Sequence, residues 1–330
     1  MASTEQTQIG FIGLGAMGKP MATNLAKHFT KTLNPVFKLH IYDIVSAPLD
    51  DLYSSFPNLI IKCTSPRDVA SKSTVIFTML PSSPQVQSVY LDPSTGIISS
   101  SSSPPLLLID CSTISPSTHL SIKSHFPLST TFYDAPVSGG VLGAISATIA
   151  IFLGCAPSDP LLPLLHTLLS PMASQIIPCG GPSLGLAAKL SNNYLSGTIT
   201  IACAEAMDMG IRAGIHPFTL QKVFSAGTAQ NRISDVFNPV PGVCPDAPSS
   251  KGYKGGFRVQ LMRKDIGLAV DMARTVGAMN VLGVSTLGVY AAASEATDCK
   301  DLDSRVVYRF LGGMENVNEW PKVKEEDGVD

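Results

Sequence analysis

The sequence predicts an α/β first half joined by one long helix to an all-helical second half. Three observations predict it. Short apolar runs of strand length alternate with helical stretches up to about residue 180. From Leu186 to Arg212 there is no proline, and apolar residues recur at three- and four-residue spacing. That makes one helix about 40 Å long at 1.5 Å per residue. Beyond Gly214 the helical spacing repeats without a convincing strand. The expected boundaries are 1–182 for the α/β domain, 183–214 for the connecting helix, 215–318 for the helical domain and 319–330 for a frayed tail.

Length and composition bound the possible partners. At 330 residues the chain can bury two cores. It is 45% hydrophobic and 15% charged, with a net charge of −2 and no basic run, so nucleic acid and anionic membranes are not expected partners. The most apolar run, Val141 to Ala156, is shorter than the roughly 18 residues a membrane helix needs. The 7 cysteines are odd in number and never spaced CxxC, which argues against a disulfide framework and a zinc site. Met1 to Gln8 carries neither an apolar signal core nor the arginines of a transit peptide.

The elements follow in order. Gln8 to Gly13 reads as a buried strand feeding Gly13-Leu14-Gly15-Ala16-Met17-Gly18 and a helix to about His28. In this strand–turn–helix setting GxGxxG marks a Rossmann-like dinucleotide site. Gly13 permits the turn, Gly15 admits a pyrophosphate, and Gly18 lets helix and strand approach. Asp43 ends the strand Val36 to Tyr42, 25 residues after Gly18, with an insertion around Phe29 to Pro35 taking up the extra length. An acid there accepts bonds from ribose hydroxyls and repels a 2′-phosphate, so NAD is favoured over NADP. Strands follow at Leu59 to Ile61 and Thr74 to Met79, with helices near Pro66 to Ser71 and Pro84 to Leu91. Leu80-Pro81 closes the fourth strand at the end where open α/β sheets bind ligands. Ser99 to Pro105 is a serine- and proline-rich loop. Leu106 to Asp110 is a strand, and after it Ser112 or Thr113 either caps the helix from Pro116 or faces the cofactor.

Thr131 to Ala135 is a strand running into Asp134-Ala135-Pro136-Val137-Ser138-Gly139-Gly140, whose serine and glycines offer a hydroxyl and bare N–H groups to an anion. Thr148 to Leu153 and Gln175 to Pro178 add strands around a helix from Asp159 to Leu169. The long helix carries Lys189 on an apolar, small-residue surface, with Asn193 one turn on along the same face. Five helices follow: Pro217 to Ser225, Gly227 to Phe237, Gly256 to Gly277, Gly283 to Ala296 and Asp303 to Leu311. A proline-rich loop, Asn238 to Pro248, interrupts them. Arg263, Lys264 and Asp265 form a charged cluster, for which a solvated face is the default reading.

Together these blocks resemble the β-hydroxyacid dehydrogenase family. GFIGLGAMGKPMATNL (Gly10 to Leu25) resembles its cofactor signature, and DAPVSGG (Asp134 to Gly140) its substrate-binding signature. GLAAKLSNN (Gly185 to Asn193) resembles the catalytic signature, and LMRKDIGLAVD (Leu261 to Asp271) the C-terminal block. NPVPGV (Asn238 to Val243) is similar to a segment of the hydroxyisobutyrate branch. The resemblance runs from about residue 8 to 312, with the blocks in family order and spacing.

The resemblance implies an NAD-dependent oxidoreductase in which Lys189 is the general acid/base and Asn193 orients the substrate or Lys189. It implies that Ser138, Gly139 and Gly140 hold a substrate carboxylate. Gly13, Leu14, Gly15, Ala16, Met17, Gly18, Asp43, Leu80, Pro81, Thr113 and Lys264 would line the cofactor, with no metal. The expected reaction is oxidation of 3-hydroxyisobutyrate to methylmalonate semialdehyde in valine breakdown. That places the protein in the mitochondrial matrix by pathway, or in the cytoplasm, since no transit peptide is visible. The family also implies a homo-oligomer, dimer or tetramer. A phosphogluconate dehydrogenase is disfavoured, because its C-terminal domain is much longer.

The chain departs from the family pattern at several positions. Ser183 stands at the middle of three usual glycines, between Gly180 and Gly185 and after an extra Gly181-Pro182. Ala147 and Cys155 also stand where glycines are usual, and Arg232 where the hydroxyisobutyrate branch has tryptophan. An arginine there could pair with a second anionic group. Two other readings therefore stay open: a reductase of another small semialdehyde or hydroxy acid (tartronate, succinic semialdehyde or glyoxylate), and an NAD-binding module without catalysis.

Overall fold

Four apolar residues, Ile9–Ile12, form β1, which the following glycine turn delivers to α1 (Gly18–Thr32). The alternation continues through β2 (Leu39–Tyr42), α2 (Ser46–Ser55), β3 (Ile60–Lys62), α3 (Pro66–Lys72), β4 (Val75–Thr78), α4 (Ser83–Leu91), β5 (Leu107–Asp110), α5 (Pro116–Ser124) and β6 (Thr131–Asp134). All six strands run parallel in the order β3-β2-β1-β4-β5-β6. Strands buried on both faces explain the continuous apolar runs. β4 sends Val75 and Phe77 into one core and Ile76 into the other; β5 divides Leu107 and Ile109 from Leu108 in the same way. The order reverses between β1 and β4, and a switch point of that kind opens a crevice at the carboxyl ends of the strands.

This computed structural model describes residues 8–32, 38–100 and 106–321. The chain divides into two compact units, the first ending at Lys189 and the second starting at Leu190. Beyond the main sheet, the first unit adds β7 (Val137–Ser138), α6 (Gly140–Ile145), β8 (Ile149–Leu153), α7 (Leu162–Leu169) and β9 (Ala173–Pro178). β7 pairs antiparallel with β8, and β8 parallel with β9, in a separate three-stranded sheet.

Some expectations need correction. α2 and α6 have no counterpart among the elements the sequence predicts. α2 buries only Leu52 and carries a proline near its start, so its apolar periodicity is weak. α6 begins directly on the paired glycines that read as a turn. β7 makes part of DAPVSGG a strand. α7 starts at Leu162 rather than Asp159, and the helix expected over Gly227 to Phe237 shortens to Arg232–Val236. Val36 and Phe37 of the second predicted strand lie outside the described residues, as do residues 101–105 of the serine-rich loop, the first seven residues and the tail from Lys322.

Two of the expected-glycine positions adopt the left-handed conformation: Ala147 (φ 57) and Ser183 (φ 63). A side chain there costs about 1–3 kcal/mol, partly offset by about 0.5–1 kcal/mol of unfolded-chain freedom that a glycine would add. Ala147→Gly should therefore stabilise the protein by about 1 kcal/mol. A urea midpoint at or below the wild-type value would contradict this.

The long helix is α8 (Leu184–Arg212), 29 residues. The second unit continues with α9 (Pro217–Ala226), α10 (Arg232–Val236), α11 (Val259–Thr275), α12 (Gly283–Glu295) and α13 (Val307–Phe310). A 3-10 turn, Ser304–Val306, leads into α13. Gly197 lets α8 sit close to α11 and α12: an added Cβ would meet Ile266 at 2.9 Å, Met262 at 3.2 Å and Tyr290 at 3.3 Å. The Tyr290 hydroxyl donates to the Gly197 carbonyl at 3.1 Å. The NPVPGV loop is packed rather than loose. Buried Asn238 accepts the Val240 N–H at 3.0 Å, and the Tyr253 hydroxyl donates to the Pro239 carbonyl at 3.0 Å. No described helix is long and apolar enough to cross a membrane.

Candidate functional site

The glycine turn sits at the switch point. Gly13 adopts φ 94, its N–H donates to the Tyr42 carbonyl at 2.9 Å, and an added Cβ would strike the Met79 carbonyl oxygen and come within 3.0 Å of Leu80. Gly18 presses α1 onto the Gly13 carbonyl. Gly15 is the opposite case: a Cβ built there meets nothing within 4 Å, and Gly15 and Ala16 are exposed. Leu14 is buried, and Met17 packs on the core below. Two glycines thus close the turn, and the third leaves its backbone open to a phosphate.

Asp43 stands over this turn. Its carboxylate accepts the Leu14 N–H at 2.5 Å and the Val45 N–H at 2.8 Å. A carboxylate has about four acceptor positions, so capacity remains for two ribose hydroxyls. Both the open backbone at Gly15 and the acceptors of Asp43 fit a dinucleotide.

The neighbouring strand ends are tied together. Thr78 donates to Asp110 at 2.7 Å and bonds the Tyr90 hydroxyl at 2.9 Å. The Ser112 N–H donates to Asp110 at 3.1 Å, while the Ser112 hydroxyl accepts the Leu80 N–H at 2.8 Å. Ser112 is therefore not the cap of α5; it fixes the Leu80-Pro81 turn. Thr113 is the half-buried residue beside it.

Ser138, Gly139 and Gly140 follow β6. Ser138 is half-buried, and both glycines are exposed at positive φ, 133 and 66. Gly140 has no heavy atom within 4 Å of an added Cβ, so its backbone is accessible. At the root of this segment Asp134 is wholly buried. It accepts the Ser183 and Leu186 N–H groups, each at 2.8 Å, and its Oδ1 lies 3.6 Å from Nε2 of His119. Burial pushes the Asp134 pKa up, against the pull of its N–H bonds. His119 packs at a tilt against Phe132 with ring centroids 4.3 Å apart, and burial lowers its pKa to about 4, with Lys123 adding to the effect.

Lys189 lies on the second turn of α8 and is buried, with 6% exposure; Asn193, four residues on, is buried equally. Within the second unit the Asn193 amide donates to Asp265 at 2.6 Å, and Lys264 Nζ approaches the other carboxylate oxygen at 3.1 Å. Asp265 is 1% exposed. The solvated face expected for Arg263-Lys264-Asp265 is thus wrong for Asp265, which a helix position one turn from Met262 and next to Ile266 turns inward. Sequence reasoning missed it because the two charges directly before it, Arg263 and Lys264, masked the buried stripe. Arg263 is exposed and paired with Glu295. Arg232 is exposed, with its guanidinium 5.6 Å from the Phe237 ring centre.

Residues 8–181 match the NAD binding domain of 6-phosphogluconate dehydrogenase. Residues 184–311 match the NAD-binding domain of NADP-dependent 3-hydroxyisobutyrate dehydrogenase. The chain is 36% identical to the probable mitochondrial 3-hydroxyisobutyrate dehydrogenase of Dictyostelium discoideum, over 94% of this chain and 92% of that one. It is 34% identical to the NAD-dependent L-serine dehydrogenase of Pseudomonas aeruginosa, over 86% and 91%. The structure of Mycobacterium tuberculosis 3-hydroxyisobutyrate dehydrogenase with L-serine superposes with a TM-score of 0.81 at 32% identity, covering 93% of this chain and 99% of that one. A parallel sheet ordered for a dinucleotide, an open glycine turn beneath an aspartate and relatives matched along nearly their whole length agree: this chain belongs to the β-hydroxyacid dehydrogenase family of NAD-dependent oxidoreductases.

Proposed function

We propose that the protein oxidises 3-hydroxyisobutyrate to methylmalonate semialdehyde, with Lys189 as acid/base. The observation that carries this reading is a buried lysine on α8, one turn from a buried asparagine that Asp265 holds. The Lys189 amine, in its neutral form, takes the proton from the substrate hydroxyl as the carbinol hydrogen leaves as hydride with the C–H electron pair and the C=O bond forms. Bound NAD supplies the hydride acceptor. Asn193, fixed by its bond to Asp265, orients the substrate hydroxyl or the Lys189 amine. The Ser138 hydroxyl and the N–H groups of Gly139 and Gly140 bind the substrate carboxylate. Gly13 to Gly18, Asp43, Leu80, Pro81, Thr113 and Lys264 hold the cofactor.

L-serine is the second reading. It shares the 3-hydroxy acid core; one relative is named an L-serine dehydrogenase, and the M. tuberculosis 3-hydroxyisobutyrate dehydrogenase structure is one with L-serine. The test is NADH formation by the purified protein with 3-hydroxyisobutyrate and L-serine. NADH consumption with tartronate and succinic semialdehydes covers the reductase readings. The proposal expects the highest kcat/KM for 3-hydroxyisobutyrate. A higher value for L-serine reassigns the substrate, and turnover of none of them refutes the reading. Valine breakdown would place the enzyme in the mitochondrial matrix, which fractionation of the source cells checks. A homo-oligomer is supported by exposed Met279, Val281, Leu282 and Val284; a monomer by light scattering would exclude it.

Asp43 gives a separate prediction. A 2′-phosphate beside its carboxylate is a like-charge contact costing several kcal/mol, so NAD should exceed NADP by about 100-fold in kcat/KM. Asp43→Ser should narrow that ratio by about 10-fold or more. An unchanged ratio would remove Asp43 from cofactor choice.

A further inference from the structure

Where α8 begins, a local cap is replaced by a distant one. The first N–H groups of a helix have no partner within it, and a serine, threonine or aspartate just before the helix commonly supplies one. Ser183 stands there with φ 63, and it is the Ser183 backbone N–H, not its hydroxyl, that is engaged by Asp134. The second Asp134 oxygen takes the Leu186 N–H. One buried carboxylate, from a residue 52 positions earlier than Leu186, thus satisfies two donors of the first turn.

The surroundings are shaped for this contact. A Cβ on Gly154 would collide with the Asp134 carboxylate. A Cβ on Gly185 would come within 2.9 Å of both Asp134 Oδ2 and the Gly154 N and would strike the Phe152 carbonyl oxygen. The Gly154 N–H donates to the Asp134 carbonyl at 2.7 Å. Two glycines therefore make the room in which the end of β6, the end of β8 and the start of α8 meet.

Two pieces of chain leave this point. One is α8, with Lys189 three residues after Leu186, about 4.5 Å further along the axis. The other is the segment after β6, where Ser138 stands four residues beyond Asp134. We propose that Asp134 is a positioning residue for hydroxy-acid oxidation: its carboxylate fixes the first turn of α8, and so Lys189, relative to the Ser138–Gly139 segment. The inference rests on Lys189 being the acid/base and Ser138–Gly139 the carboxylate site. Asp134 itself touches neither substrate nor cofactor.

The test compares Asp134→Asn with Tyr133→Phe. The amide keeps one acceptor but turns an NH2 toward the other backbone donor. Tyr133→Phe removes a hydroxyl that donates to Asp159 at 3.0 Å, on the same strand but away from α8. Displacing reacting groups by about 1 Å costs on the order of 100-fold. Asp134→Asn is therefore expected to lower kcat by about 100-fold, to move the pH profile of kcat/KM, and to leave NADH affinity within about threefold of wild type. Tyr133→Phe should leave kcat and that profile unchanged. Hydrogen exchange of Asp134→Asn should quicken over residues 183–190 and not over β1 and α1.

A normal kcat and profile in Asp134→Asn would overturn the proposal, as would an equal loss in Tyr133→Phe. If Asp134→Asn does not fold, the wild-type amides decide. Slow exchange at Ser183 and Leu186 supports the anchor, and exchange as fast as at Gly181 overturns it. Should wild type oxidise no hydroxy acid, the reaction assigned to the site fails, while the exchange measurement still reports on the anchor.

Discussion

Lys189→Ala is expected to lower kcat by about 1,000-fold while NAD binding stays near the wild-type level. A positioned acid/base contributes about 100- to 10,000-fold to a proton transfer. Here the group also has no evident understudy on its helix: its neighbours are Ala187, Ala188, Leu190 and Ser191. The residues proposed to contact the cofactor at the glycine turn and Asp43 lie elsewhere in the chain, so the dinucleotide should still bind. Titration of NADH fluorescence separates binding from turnover. Turnover within a few-fold of wild type would take the role from Lys189. The variant also loses a long buried stem, so its melting temperature must accompany the kinetics; alanine suits an α-helix and keeps the backbone propensity.

Acid should destabilise the protein between about pH 6.5 and 4, with His119 a main cause. In the folded chain its pKa is lowered to about 4 from 6.5, because burial disfavours the charged ring. Between those values the unfolded chain binds the proton and the folded chain does not. Stability is therefore complete above pH 6.5 and falls as pH drops toward 4. The difference in pKa corresponds to about 3 kcal/mol. Asp134 works the other way: its raised pKa makes the folded state take up a proton more readily in acid, so the measured slope is the difference of the two effects. His119→Phe, which preserves the ring contact with Phe132, should flatten the acid limb of a urea-midpoint series. An unchanged slope would show that other groups control it.

The first unit was largely legible because its signals are local. GxGxxG between a strand and a helix needs only sequence neighbours, and the geometry of Gly13, Gly15 and Gly18 follows the separate roles read from them. Short strands buried on both sides announce themselves as apolar runs. α2 and α6 did not, because one buries a single large residue and the other starts on glycines. Asp265 and Asp134 were hidden for a different reason. Each carboxylate is defined by partners 72 and 49 to 52 residues away, and nothing local distinguishes it from a surface or turn aspartate. Ser112 showed the same limit: a serine before a helix resembles a cap, but its hydroxyl serves the Leu80 turn.

α8 also limits how this enzyme can be taken apart. The boundary between the compact units falls within the helix, after Lys189. Severing the chain there would leave the first unit with residues 184–189, too few to nucleate a stable helix alone. Cutting before Gly180 instead would keep the helix whole but strip Asp134 of the two backbone donors it was buried to meet. Neither half is a transferable cassette. Recombination among relatives that exchanges halves keeps both sides of that contact from one parent only when the join lies after Leu186, and chimeras joined between Asp134 and Ser183 should be recovered mainly as insoluble protein.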